Sequence, residues 1–129
     1  MGTPGDQFFV AIVDDEAALR EATDSLLRSA GFRAESFASA EDFLRSKRRD
    51  SASCLILDVR LPGMSGLELQ RHLAGNGFQI PIVFITAHED SDGKIQAQAL
   101  RAGALAFLRK PFDDEELLSG VRSALAKQR

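Results

Sequence analysis

Four short apolar runs, each followed by a polar side chain, most constrain how this chain can fold. They are Phe8–Val13 before Asp14-Asp15, Cys54–Leu57 before Asp58, Ile80–Ile85 before Thr86, and Leu105–Leu108 before Arg109-Lys110. Each is too short for a typical helix, and the first is rich in aromatic and β-branched residues. They read as strands buried on both faces. Arg33–Phe37 reads as a shorter, more polar strand near a sheet edge.

Segments of helical period separate the strands. Leu19, Ala22, Leu26, Leu27 and Ala30 recur along one helix face, and Gly31 supplies the stop. Ser39-Ala40-Glu41-Asp42 resembles a capping box, with Asp where Glu is usual, opening a helix that carries Phe43 and Leu44. Ser65-Gly66-Leu67-Glu68 is a clean capping box, and its helix is expected to bury Leu67 and Leu73, with Leu69 as a further candidate. A fourth helix is expected from Asp92 to Ala102 with a modest apolar face of Ile95, Ala99 and Leu100. Asp113 caps a last helix bearing Leu117, Leu118, Val121 and Leu125. Strict alternation of buried strands and amphipathic helices predicts an α/β fold, a doubly wound five-stranded parallel sheet with helices on both faces.

Such a sheet binds ligands at the carboxyl ends of its strands. All the polar residues that end the runs fall on that edge. Taken singly, each has an ordinary explanation: Asp14-Asp15 as a helix cap, Asp58 as turn chemistry before Pro62-Gly63, Thr86 as a structural hydroxyl, Lys110 as a solvated lysine. Together they gather three carboxylates, a hydroxyl and an ammonium at one spot. Clustered carboxylates repel one another, and a hard divalent cation such as Mg²⁺ relieves that. Three carboxylates, one Mg²⁺ and Lys110 sum formally to zero. A phosphoryl group arriving there would meet the cation and Lys110, with Asp58 placed as nucleophile for an aspartyl-phosphate.

Bulk properties narrow the alternatives. The chain has 129 residues, which suits one domain, and its 44% hydrophobic and 27% charged composition is that of a globular protein. A net charge of -3 gives no sign of direct nucleic-acid or membrane binding. The lone cysteine, Cys54, rules out an internal disulfide and fits a buried residue in a reducing, cytoplasmic setting. Met1–Gln7 reads as a loose leader, and no apolar run approaches the roughly 18 residues of a membrane span. Lys47-Arg48-Arg49-Asp50 reads as a charged loop, and His72 on a helix receives no role.

The motifs Val13-Asp14-Asp15-Glu16, Leu57–Gly66, Ile85-Thr86-Ala87 and Phe107–Phe112 resemble a response-regulator receiver domain of two-component signalling. Glu35–Ala40 and Lys110–Leu117 further resemble the FixJ/NarL-type subgroup, whose members often carry a LuxR-type helix-turn-helix after the receiver. The resemblance implies a flavodoxin-like fold with strand order 2-1-3-4-5 over residues 8–127, and the expectation is that the chain itself holds no effector domain. It implies Asp58 as phosphoacceptor and Asp15 and Asp58 as direct ligands of Mg²⁺ (or Mn²⁺). The Arg60 carbonyl would complete the protein ligands, with Asp14 acting through water. It implies Thr86 as switch hydroxyl, Phe107 as switch aromatic, and Lys110 paired to the phosphoryl oxygens, with a cis Lys110-Pro111 bond. A sensor histidine kinase would be the donor, and phosphorylation would bias the face formed by the fourth helix, fifth strand and fifth helix, with homodimerisation through that face.

Arg60, two residues after Asp58, and His88, two after Thr86, are candidates to tune water access to the phosphoryl group. Two other functions compete. One is a protein-binding module that uses the receiver face without phosphorylation. The other is a phosphatase of the haloacid dehalogenase class, whose Asp-x-Asp motif is not matched by adjacent Asp14 and Asp15. The chain is therefore expected to be a signalling domain whose only catalysis is its own phosphotransfer and dephosphorylation.

Overall fold

Parallel pairing of five strands forms the framework that carries these residues. The structure is a computed structural model that describes residues 8–47, 49–87 and 93–127. In chain order it contains β1 (Phe9–Val13), α1 (Ala17–Ser29), β2 (Arg33–Phe37), α2 (Ala40–Arg45) and β3 (Cys54–Asp58). It continues through α3 (Gly66–Gly75), β4 (Ile82–Thr86), α4 (Lys94–Arg101), β5 (Ala106–Arg109) and α5 (Asp114–Ala126). The charged loop before β3 contains a short 3₁₀ turn at Arg49–Ser51. The sheet order is β2-β1-β3-β4-β5, as expected.

β1, β3 and β4 are central and buried at every position, which explains their unbroken apolar sequences. β2 and β5 are the edges and are partly exposed; β2 is accordingly polar at Arg33, Glu35 and Ser36, whereas β5 stays apolar up to Arg109. Side-chain alternation divides the core into two layers. Phe9, Ala11, Val13, Leu55, Leu57 and Phe84 face α2, α3 and α4, where they meet Phe43, Leu69, Leu73 and Ala99. Val10, Ile12, Ile56, Val83 and Ile85 face α1 and α5, where they meet Leu27, Leu117, Leu118 and Val121.

Helix starts follow their caps. Ser39 Oγ accepts the Asp42 N–H at 3.0 Å. Ser65 and Glu68 form the reciprocal box, with Oγ accepting at 3.2 Å and Glu68 Oε1 accepting the Ser65 N–H at 2.9 Å. Glu116 Oε1 likewise accepts the Asp113 N–H at 3.0 Å.

Some apolar assignments shift. In α1 the sheet-facing stripe is Leu19, Thr23, Leu26 and Leu27, whereas Ala22 and Ala30 are exposed. In α3 the fully buried residue is Leu69, and Leu67 is half-buried, because Leu69 and Leu73 share the face four residues apart. In α4 the apolar contact is Ile95 and the fully buried Ala99, whereas Leu100 points outward at 42% exposure. The described part of α4 begins at Lys94, and Asp92 lies outside the described residues. Among the described residues no helix is long and apolar enough to cross a membrane.

Candidate functional site

The sheet register continues one residue past the strands and sets the positions of the polar side chains. The Asp14 N–H donates to Phe37 O at 3.2 Å, the Val59 N–H to Ile85 O at 3.0 Å, and the Lys110 N–H to Thr86 O at 2.8 Å. The ladder thereby fixes the backbone on both sides of Asp58 and joins Lys110 to the end of β4. The Lys110-Pro111 bond is cis, as the sequence led us to expect.

Lys110 lies between two carboxylates. Its Nζ donates to Asp58 Oδ2 at 3.1 Å and to Asp14 Oδ2 at 3.2 Å. The other oxygen of each carboxylate accepts a backbone amide: Asp58 Oδ1 from Arg60 at 3.1 Å, and Asp14 Oδ1 from Glu16 at 3.0 Å. Side-chain exposure is 13% for Lys110, 7% for Asp58 and 1% for Asp14, so these charges meet with little water between them. Burial pushes the Asp58 carboxyl above its ordinary value, and repulsion from Asp14 adds to that; Lys110 and the Arg60 amide pull the other way without cancelling it. Burial would by itself lower the Lys110 ammonium, but the two carboxylates outweigh it and hold it above its ordinary value.

Asp15 is exposed at the rim. One oxygen from each of Asp14, Asp15 and Asp58 lies within 4.8 Å of the others. Three carboxylates against one ammonium leave two negative charges uncompensated. A hard divalent cation matches both that charge and the all-oxygen donors, so the cluster can hold a metal. It opens into a cavity of about 680 Å³, lined by Asp15, Asp58, Arg60, Leu67, Ile95 and Lys110 among others.

The remaining sequence candidates are placed as follows. Thr86 is buried at the end of β4, and strand alternation puts it on the same face as Ile82 and Phe84. Phe107 is half-buried on that face, its ring 6.2 Å from that of Phe84 and tilted by 42°. Arg60 turns its backbone N–H to Asp58, and the residue is otherwise exposed. His88 lies outside the described residues, as does the stretch 1–7 that the sequence reads as a leader.

Sequence reasoning missed several contributors. Arg20 Nη1 donates to Asp14 O at 2.8 Å, tying α1 to the end of β1. Gly66 packs its backbone on that of Asp58: a Cβ there would lie 2.2 Å from Asp58 O. Buried Gln70 donates through Nε2 to Ala99 O at 3.0 Å, linking α3 to α4. Glu41 reaches Met64 across 23 residues of sequence. Glu41 and Gly66 carried local signals as members of capping motifs, and Gly66 also closes the Leu57–Gly66 motif; neither signal pointed to the contact it makes.

A protein-family model for the response regulator receiver domain matches residues 10–122. The chain belongs to the response regulator receiver family. The receiver is 49% identical over 116 residues to the response regulator protein TodT of Pseudomonas putida, covering 90% of this chain and 50% of TodT. It is 36% identical over 116 residues to the transcriptional regulatory protein FixJ of Bradyrhizobium diazoefficiens, covering 90% of this chain and 56% of FixJ. The crystal structure of FixJ-N superposes with a TM-score of 0.81 at 35% identity, covering 92% of this chain and 94% of that one. The receiver thus spans about half the length of the curated relatives it matches. It is a phosphorelay signalling receiver of two-component systems with a FixJ-like sequence, and neither competing function read from the sequence is favoured.

Proposed function

We propose that Asp58 is the phosphoacceptor of this receiver. The observation that carries the proposal is its setting: buried at the end of the central strand, one oxygen on Lys110 and the other on the Arg60 amide, facing an open cavity. A carboxylate oxygen of Asp58 forms the new P–O bond as the P–N bond of a kinase phosphohistidine breaks. The bonding pair leaves with the imidazole nitrogen. Lys110 holds the phosphoryl oxygens, and the Thr86 hydroxyl donates to one of them. Asp15, Asp58 and the Arg60 carbonyl would hold Mg²⁺ (or Mn²⁺) directly, and Asp14 would do so through water. When bound, the cation offsets charge on the transferring group.

Recruitment of Thr86 opens space on the face it shares with Phe84 and Phe107, and Phe107 turns inward. The face of α4, β5 and α5 responds, with homodimerisation through it as one readout. The exposed Arg60 side chain and His88 regulate water access and hence the phosphoryl lifetime. The domain extends over residues 8–127 after a leader at 1–7, takes its phosphoryl group from a sensor histidine kinase in the cytoplasm, and contacts neither nucleic acid nor membrane itself. Its chemistry is confined to its own phosphorylation and dephosphorylation. The longer relatives support an effector attached to such a domain.

The test is incubation with a small acyl phosphate and Mg²⁺. The expected result is incorporation of at most one base-labile phosphoryl group, lost in Asp58→Asn and on metal removal. Sustained hydrolysis of unrelated phosphomonoesters, or equal incorporation by Asp58→Asn, would refute the assignment.

A further inference from the structure

The loop from β3 to α3 carries Arg60 and turns at Pro62-Gly63 before the Ser65 cap. Its two ends are fixed close to Asp58. The Arg60 N–H donates to Asp58 Oδ1 at 3.1 Å, and the Gly66 N–H donates to Val59 O at 2.9 Å. Its far side is held from another element. Glu41, in the first turn of α2, accepts the Met64 N–H through Oε2 at 2.8 Å. Helix α2 is itself anchored by Ala40 and Phe43, both fully buried against the sheet. The loop therefore leans on a rigid support.

Gly63 is shaped to this contact. Its φ of +74° is in the left-handed region, and a Cβ there would lie 2.5 Å from Glu41 Oε2. The turn accordingly leaves room for the carboxylate, and the carboxylate fills it. The contact depends on a side chain long enough to bring Oε2 to the turn. It also reaches across 23 residues of sequence, unlike the helix caps, which act within their own turn.

We propose that Glu41 is a positioning residue: by accepting the Met64 N–H it fixes the backbone of the Arg60 segment and so sets the affinity of the acidic site for Mg²⁺. This rests on the metal site argued above. Glu41 does not touch the metal ligands; it acts through the loop. Outer partners that orient ligands commonly change metal affinity by about tenfold or more when removed.

Length and charge are separable here. Glu41→Gln keeps the reach and an acceptor oxygen but removes the charge. Glu41→Asp keeps the charge but is one methylene short. The experiment titrates Mg²⁺ into unphosphorylated protein by calorimetry, and measures amide exchange at Met64 by NMR, for the wild type and for Glu41→Ala, Glu41→Gln and Glu41→Asp. Positioning predicts that Ala and Asp weaken Mg²⁺ binding about tenfold and speed Met64 exchange by at least as much. The Gln variant stays within about threefold of wild type on both.

Asp matching wild type while Gln matches Ala would show a charge effect and overturn the proposal. So would Ala and Asp both staying within twofold of wild type. If Glu41→Ala fails to fold, the Gln and Asp pair still decides. Absence of saturable Mg²⁺ binding by the wild type would refute the metal site and this inference together. Normal wild-type binding that is lost in Asp15→Asn, with no effect of any Glu41 variant, would refute only this inference.

Discussion

Replacing Lys110 with Met removes the ammonium while keeping a flexible side chain of similar girth. In the wild type Nζ stands 3.1 Å from Asp58 Oδ2 and 3.2 Å from Asp14 Oδ2. At an effective dielectric of ~20, each such pair has a gross attraction of about 5 kcal/mol. Desolvation of all three groups offsets much of it, and breaking a buried pair by removing one partner typically costs about 3–5 kcal/mol. The expected loss in metal-free protein is on the order of 3 kcal/mol, or roughly 10 °C in Tm for a domain of this size. The chain has no Trp and no Tyr, so far-UV circular dichroism is the suitable probe. The sign of the pH dependence follows from Asp58, whose carboxyl is already raised by burial and rises further without Lys110. A carboxyl raised in the folded state adds stability below its unfolded value and loses it as pH climbs through the folded one. The deficit of Lys110→Met should therefore be largest near neutral pH and shrink on acidification into the ordinary carboxylate range. Saturating Mg²⁺ should narrow it too, because the cation binds only the folded cluster and offsets the same charges. A deficit below about 1 kcal/mol at neutral pH, or one indifferent to both acid and Mg²⁺, would refute this account of the site.

Other perturbations give sharp expectations. Asp58→Asn should raise the metal-free Tm at neutral pH, with the gain vanishing on acidification, because burial already disfavours the ionised carboxylate there; a lower Tm would contradict the direction of that shift. Gly66→Ala should cost roughly 3 kcal/mol by chemical denaturation, since its Cβ would sit 2.2 Å from Asp58 O and backbone must move against backbone. Burial pushes the Cys54 thiol up to about 12, so mass spectrometry should show no alkylation of native protein at mildly alkaline pH and full alkylation after unfolding.

Much of the architecture is legible because each central strand is buried on both faces and is written as an unbroken apolar run. The edge strand Arg33–Phe37 and the caps at Ser39, Ser65 and Asp113 follow from equally local rules. The acidic cluster and Lys110 are legible for a topological reason: parallel strands bring residues that follow them to one edge. What failed was the choice among neighbouring apolar residues on a helix. Leu69 and Ala99 were named and are buried, but the half-burial of Leu67 and the outward turn of Leu100 depend on the rotation of each helix over the sheet, which a short stripe fixes poorly. Contacts between elements distant in sequence were invisible. Glu41 to Met64, Gln70 to Ala99 and Gly66 on Asp58 each need the assembled fold before any local pattern acquires that meaning.

As phosphoacceptor, Asp58 would take the phosphoryl group alone among the three clustered carboxylates. Borohydride reduction of an aspartyl-phosphate leaves homoserine at the modified position. After treatment with an acyl phosphate and Mg²⁺, then borohydride, peptide mass spectrometry should find homoserine at position 58 and unmodified aspartate at 14 and 15. Homoserine at either of those positions, or at none of the three despite stable incorporation, would contradict the account.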